Sequence, residues 1–364
     1  MSHPYFRSKL CPAGYDAGET GYSTGNVGMA QRLRWRWNRL RCMTPSEISH
    51  RVVRALTMYV EGSGLLGMQK VPAPDLTAKP RHWIHAAVNV DCARYLAAAE
   101  RIVIGKLDIF AMHDADLGSP PRWNRDPKTG VEAPLHFGKR LDYRNPRLVG
   151  DIKYLWEPNR HLHIVTLAQA FSLSGDVRYF HFLRGHLESW FALCPHLKGP
   201  NWTSSLEVAI RLINWSVAWQ LLGGARSPLF QSPEGARLRR RWLESIYQHA
   251  QFVRGHFSQD SSANNHVIGE AAGLFIAALT WPHWPCTNEW LGASKPVLEK
   301  EVLLQNAPDG VNREQSTSYQ QFVLDLLLFT LLAGKANGQW FSVAYESRVE
   351  AMLEYLASIM DAGA

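Results

Sequence analysis

The sequence predicts an all-α fold built from antiparallel helical hairpins, and three observations predict it. From about residue 91 onward, apolar residues recur with helical period through segments of 14 to 24 residues. Most breaks between these segments contain Gly, Pro or both, the residues that end helices and make turns. No run alternates with period two strongly enough to read as a sheet strand. Successive helices joined by short turns pair as antiparallel hairpins, and hairpins set side by side make a bundle, a solenoid or a closed toroid.

The elements follow in order. The first 43 residues, rich in Gly, Ser and Arg, are expected to be partly disordered. Within them QRLRWRWNRLR (31–41) carries five Arg and no acid. It reads as a solvated or surface-packing segment, with contact to an anion or a membrane surface as the alternative. The helical domain is expected to occupy 44–364. It begins at TPSE, with Thr44 as N-cap, Pro45 in the first turn and Glu47 reaching back. This helix should run to about Tyr59 and end before Gly62. A Pro-containing connector (71–80) follows, and the helical reading resumes near Asp91. Residues 118–150 hold Pro120, Pro121, Pro127, Pro134 and Pro146 and read as a long loop with short strand pieces. Loops of that length inside a domain are usually functional. Helices are then expected at about 161–174, 177–193, 204–222, 234–257, 263–279, 290–305, 314–333 and 342–361.

Composition bounds the function. With 46% hydrophobic and 20% charged residues, the chain fits a soluble globular protein with a full core. The net charge of +7 favours an anionic partner, whether nucleic acid, acidic polysaccharide or membrane surface. Nucleic acid is set aside, because no recognised module is present and the basic residues are not gathered on a folded motif. No stretch reads as a secretory signal or a transmembrane segment. The five Cys are dispersed and lack CxxC spacing, which argues against a disulfide framework and a zinc site. Fourteen Trp and twelve Tyr suit either carbohydrate faces or the packing of large helices.

The polar residues on the helices raise the functional question. In SSANNHVIGEAAGL, Ser261 or Ser262 could start a helix alone, yet Asn264, Asn265 and His266 follow. In SSLEVAIRLINWSVAWQLL, Glu207, Arg211 and Asn214 share one stripe. That stripe is either a surface ion pair or the lining of a cavity with Arg211 facing an acidic ligand. In DIKYLWEPNRHLHI, Trp156, Glu157, Asn159, Arg160 and His161 crowd the start of a helix, where anions are attracted. In DGVNREQSTSYQQFVLDLLL, Tyr319 opens an apolar stripe continued by Phe322, Leu326 and Phe329. Tyr319 reads as core, but the polar run from Asn312 to Ser318 ahead of it is more than a core helix needs.

Five segments, TPSEISHRVVRAL, GDIKYLWEPNRH, NWTSSLEVAIRLINW, SANNHVIGEAAGL and DGVNREQSTSYQQF, carry a resemblance to the heparinase II/III-like polysaccharide lyases, in the version associated with bacterial exopolysaccharides. The resemblance covers most of the chain and implies an incomplete α/α toroid followed by an antiparallel β-sandwich. The chain ends at IMDAGA, about where the connection to that sandwich would begin. The second domain, with any catalytic His or metal ligands it supplies, is therefore expected to be missing, and no cofactor is expected in this chain. The resemblance also implies an acidic polysaccharide as substrate and a periplasmic or extracellular setting.

Lyases of this kind cleave at C-4 of a uronic acid by β-elimination. The hard step is removal of the C-5 proton, because the adjacent carboxylate leaves that carbon weakly acidic. The resemblance places the carboxylate-neutralising amide at Asn265 and the phenol that serves as base or acid at Tyr319. His266 stands second to them, and Asn264 is left to hold the helix start. Glu270 either orients His266 or is an ordinary helix acid. Arg211, Arg160, Trp156, Trp202 and Glu207 are expected in the substrate cleft, with Arg211, Asn265 and Tyr319 opening onto one cavity. Two other classes stay open. One is a non-catalytic protein of acidic-glycan binding or exopolysaccharide assembly. The other is a glycoside hydrolase with two carboxylates, Glu314 with Glu207 or Glu270.

Overall fold

The computed structural model describes residues 45–63, 70–84, 90–118, 120–258 and 264–360, with 34, 37, 38 and 41 ahead of them. The expectation for residues 1–43, four positions apart, lies outside the described residues, as does the Thr44 cap. The chain divides into two units, Met1–Gly67 and Met68–Ala364. Helix α1 (Pro45–Ser63) falls in the first and starts at the proline expected in its first turn, but it runs through Gly62 to Ser63 rather than ending before that glycine.

The second unit holds the remaining elements. These are α2 (Cys92–Val103), β1 (Lys106–Ile109), β2 (Met112–Asp116), α3 (Pro146–Val149), α4 (Ile152–Asn159), α5 (Leu162–Ser174), α6 (Val177–Leu193), α7 (Ser205–Leu221), α8 (Pro233–Gly255), α9 (Asn265–Thr280), α10 (Thr287–Gln305), α11 (Thr317–Ala336) and α12 (Val343–Ile359). Helices α5 and α6, α7 and α8, α9 and α10, and α11 and α12 pack as hairpins, and α5, α7, α9 and α11 also pack on one another in sequence. They form the inner row, with α6, α8, α10 and α12 behind them. The result is an incomplete α/α toroid.

Two glycines set the direction of the inner row. A Cβ on Gly273 would lie 2.6 Å from Ala209 O, and one on Gly269 would lie 2.3 Å from Leu206 Cδ1. The pairs 206 with 269 and 209 with 273 ascend together, so α7 and α9 run parallel and their N-terminal ends lie side by side. Helix α9 is apolar nearly all round and buried along its length, as a central helix must be. Trp123, Trp190, Trp202, Trp215, Trp219, Trp242, Trp281, Trp284 and Trp290 are all buried in the core, so the tryptophans are chiefly packing residues.

Two further local expectations need correction. Residues 106–116 form a two-stranded antiparallel hairpin rather than helix. Gly105, at φ 80°, ends α2 in a conformation an L side chain resists. Arg101 then ties both strands to α2, donating to Asp108 at 2.8 and 2.7 Å and to Asp114 at 2.7 Å. The second correction concerns residues 152–161. Trp156, Glu157 and Asn159 lie in the last part of α4, and His161, at φ 65°, marks the break before α5. Trp156, Glu157 and Asn159 thus stand at a helix C-terminus, where the dipole disfavours an anion, and only His161 caps the start of the next helix.

The loop 118–150 is ordered by Asp126, which is fully buried and accepts from Lys128 N at 2.9 Å, Thr129 N at 3.2 Å and Asp151 N at 2.7 Å. Among the described residues no helix is long and apolar enough to cross a membrane.

Candidate active site

A helix leaves its first N–H groups without acceptors inside the helix, and the start of α9 meets that need with three different devices. Asn264, at φ −131°, is the N-cap; its side-chain oxygen accepts from His266 N at 3.1 Å. Its backbone oxygen accepts from Val267 N at 3.1 Å. The Asn265 N–H instead donates to Glu314 Oε1 at 3.1 Å, and Asn265 Nδ2 donates to both oxygens of that carboxylate, at 2.7 and 3.0 Å. Asn265 is 4% exposed, whereas Glu314 is an exposed residue.

Glu314 is held by a bracket of amides. Asn312 Oδ1 accepts from Glu314 N at 3.0 Å, and Asn312 N donates to Gln320 Oε1 at 2.7 Å. Asn312 Nδ2 donates to Asn306 Oδ1 at 2.9 Å, while Gln320 Nε2 donates to Gly310 O at 2.9 Å. Asn306, Asn312 and Gln320 are buried, and buried amides are tolerated when bonded in this way. The polar run ahead of Tyr319 is this bracket. Gln315 then takes a left-handed turn at φ 53°, and Tyr319 follows in the first turn of α11. Leu326 of its stripe is buried, but Tyr319 is 42% exposed and is not a core residue.

A second charged group adjoins the start of α7. Arg160 grips Glu207 with Nε at 2.8 Å and Nη2 at 2.9 Å, and Nη1 donates to Glu157 at 2.8 Å. Burial raises the Glu157 carboxyl, with Arg160 pulling the other way. From the long loop, Lys139 Nζ donates to Thr203 O and Ser205 Oγ, both at 3.2 Å. His266 feels all three elements. Burial holds its imidazole below the ordinary range, Glu207 and Glu314 oppose this, and Lys139 reinforces it. Glu207, Lys139, His266, Asn265 and Glu314 therefore gather where the inner helices begin. Sequence reasoning missed Lys139 and cast Glu314 only as a hydrolytic acid. For Lys139 the signal was the length of its loop, and for Glu314 the unexplained polar run.

Several expected cleft residues are elsewhere. Arg211 is 1% exposed and faces inward. It donates to Asn159 O at 2.6 Å, Asn201 O at 3.0 Å and His249 Nε2 at 3.0 Å, and its guanidinium lies 4.7 Å from the Trp190 ring centre. Asn159 O is a carbonyl at the end of α4, so Arg211 compensates a helix C-terminus. Burial lowers its pKa to about 10. It does not share an open cavity with Asn265 and Tyr319, because it is buried in the core with its planar fork taken by two main-chain carbonyls and His249. Nor does it pair with Glu207 across one helical turn, since Arg160 takes that carboxylate.

Trp202, 1% exposed, is packed against His249 and Phe252 and is likewise a core residue. Trp156 is half-buried and donates from Nε1 to Pro200 O at 3.0 Å. Glu270 accepts from Ser258 N at 2.6 Å and Ser258 Oγ at 2.9 Å, which ties α9 to the end of α8. The acids that act on His266 are Glu207 and Glu314. Two surface clefts, of about 280 and 840 Å³, lie against α2 and the β-hairpin, away from the start of α9. Among the described residues no group of three or more His, Cys, Asp or Glu could hold a metal ion.

Comparison with known proteins adds to this geometry. Residues 119–362 match the family described as Heparinase II/III N-terminus. A heparin-sulfate lyase of Bacteroides thetaiotaomicron is 26% identical over 174 residues, 46% of this chain and 23% of that protein. Among solved structures, a heparan sulfate lyase of Pedobacter heparinus has a TM-score of 0.54 at 20% identity, covering 78% of this chain and 42% of its own. A structure of Heparinase III has a TM-score of 0.53 at 16% identity, covering 84% and 44%. At these identities the structures are alike in fold. The chain spans less than half the length of each of these relatives.

Proposed function

The chain belongs to the heparinase II/III N-terminus family, and from that premise we propose that it serves as the toroid part of a polysaccharide lyase acting on a uronic-acid-containing acidic polysaccharide by β-elimination. The observation that carries the reading is the meeting, at the start of α9, of Asn265, His266 and the segment that bears Tyr319.

The roles follow from chemistry. Charge that develops as the C-5 proton leaves must spread into the uronate carboxylate, and an uncharged amide can donate to that group without locking it in a tight ion pair. Asn265 supplies such an amide at a helix N-terminus, where the backbone also favours an anion. Tyr319, exposed at the first turn of α11, offers a phenol for the proton at C-5, the departing oxygen at C-4, or both in turn. His266, kept toward its neutral form by burial, can accept a proton or a hydrogen bond beside them. Arg160, already gripped by Glu207 and Glu157, builds the wall of the site and is not a free cation for substrate. The net charge of +7 suits long-range attraction of an anionic polymer.

The test is a screen of the intact gene product on acidic polysaccharides with two readouts, ultraviolet absorbance and new reducing ends. Elimination gives an unsaturated uronate, so both signals rise together. Reducing ends without absorbance would replace this reading with hydrolysis. Binding with neither signal would favour the glycan-binding reading.

A further inference from the structure

We propose that Glu314 is a resident carboxylate standing in the uronate subsite, holding the donors of Asn265 until the substrate's own carboxylate displaces it. The inference rests on the lyase reading only in taking Asn265 as the group that receives the uronate.

Asn265 offers two kinds of donor at the start of α9, its backbone N–H and its Nδ2, and one carboxylate takes both. Asn265 is only 4% exposed, and the exposed Glu314 already takes both its backbone N–H and its Nδ2, so an incoming carboxylate meets donors that are occupied. The two cannot both stay, because two carboxylates on one amide disfavour each other's ionised form. A uronate entering here must therefore push Glu314 aside. The exchange is nearly even, since the newcomer brings the same pair of oxygens to the same donors. It is also local. The bracket of Asn306, Asn312 and Gln320 fixes the Glu314 backbone, while the exposed side chain can rotate into water.

A neutral hexose has nothing to offer in exchange, so displacement selects for a uronic acid at this subsite. The pairing also satisfies the first N–H of α9. That explains why a site meant for an anion carries an acidic side chain of its own.

The experiment compares wild type with Glu314→Ala and Glu314→Gln in the intact gene product. The probe is an unsulfated glucuronate-containing tetrasaccharide, with a neutral tetrasaccharide as control. Affinity is measured by calorimetry, and kcat and KM are measured wherever elimination is detected. Glu314→Ala should bind the uronate probe about 10-fold more tightly or better, with KM falling in step, since a charged competitor has been removed. Glu314→Gln keeps a hydrogen-bond partner for Asn265 and should fall between Ala and wild type. The neutral control should not respond.

An unchanged or raised KM with a fallen kcat would overturn the proposal and make Glu314 a positioning residue for Asn265. Failure of wild type and both variants to bind the uronate probe would overturn it as well. If no variant eliminates but Glu314→Ala still binds the uronate more tightly, the subsite stands and the lyase reading falls.

Discussion

Tyr319 and Asn265 call for different tests, because one is open to solvent and the other is sealed. Tyr319→Phe removes an exposed hydroxyl and keeps the ring, so stability should change by less than about 1.5 kcal/mol. Turnover should fall roughly 100- to 10,000-fold if the phenol carries the proton. Melting curves run beside progress curves check both halves, and a variant that retains most of its elimination rate would remove Tyr319 from the proton transfer. Asn265→Ala is less clean, because it strips Glu314 of its amide at a buried position and removes structure together with chemistry. Arg211 supplies the opposite control. Its fork serves two carbonyls and His249 in the core, and Lys cannot reproduce that geometry. Arg211→Lys should cost roughly 3–5 kcal/mol in denaturant titrations, with any loss of activity following the loss of fold. Motif order made Asn265 and Tyr319 legible as candidates in the sequence. The role of Arg211 was not legible, because its i, i+4 spacing from Glu207 suggests an ion pair while the true partner of Glu207, Arg160, lies 47 residues away in the chain. Local spacing carries no record of a partner brought in by the fold.

The contact between α7 and α9 turns on two glycines that differ in what surrounds them. A methyl on Gly273 meets main chain and Cβ of Ala209, which cannot move without separating the helices. Gly273→Ala should therefore destabilise by about 1–3 kcal/mol. A methyl on Gly269 meets only side-chain ends, Leu206 Cδ1 at 2.3 Å and Leu326 Cδ1 at 3.4 Å, which can shift, and Ala favours the helix by up to about 1 kcal/mol over Gly, so Gly269→Ala should be nearly neutral. Paired chemical denaturation of the two variants checks the contrast, and equal losses would mean that α7 and α9 do not approach as described. The hairpin array itself was legible, because the stops are local. Helix α6 has the predicted ends, set by Asp176 as N-cap and a break at Cys194. Helix α11 starts three residues later than predicted, because Glu314 and Gln315 belong to the bracket and Gln315 turns left-handed. The hairpin β1–β2 escaped because strands of 4 and 5 residues give too few positions for an alternation to show.

Across the whole molecule the core is rich in both tryptophan and histidine, and this ties stability to pH. His161, His163, His186 and Trp123 pack ring against ring, and His249 lies between Trp202 and Trp215. Burial pushes His161, His163 and His249 well below the ordinary imidazole range, and it lowers His186 to about 4. Structure agrees with that direction. His249 Nε2 accepts from Arg211 and His161 Nδ1 accepts from Trp215 Nε1, so protonating either nitrogen would set two donors against each other, while His163 Nε2 and His186 Nδ1 have no hydrogen-bond partner among the described residues. In the unfolded chain the same rings titrate near pH 6.5. The folded state thus binds fewer protons than the unfolded state below that value, and stability must fall with pH there. The contribution is whole above about pH 6.5 and is lost progressively toward pH 4, each ring costing up to about 1.4 kcal/mol per pH unit. Asp108 and Asp114, held low by Arg101, lose their contribution only at more acidic pH. Denaturant titrations at about pH 7 and pH 5 should give midpoints that differ strongly, with the lower at pH 5, whereas coincident curves would show that the rings are not held neutral by burial. The measurement needs no substrate and no knowledge of the reaction, so it tests the packed core of the toroid independently of everything proposed for its open end.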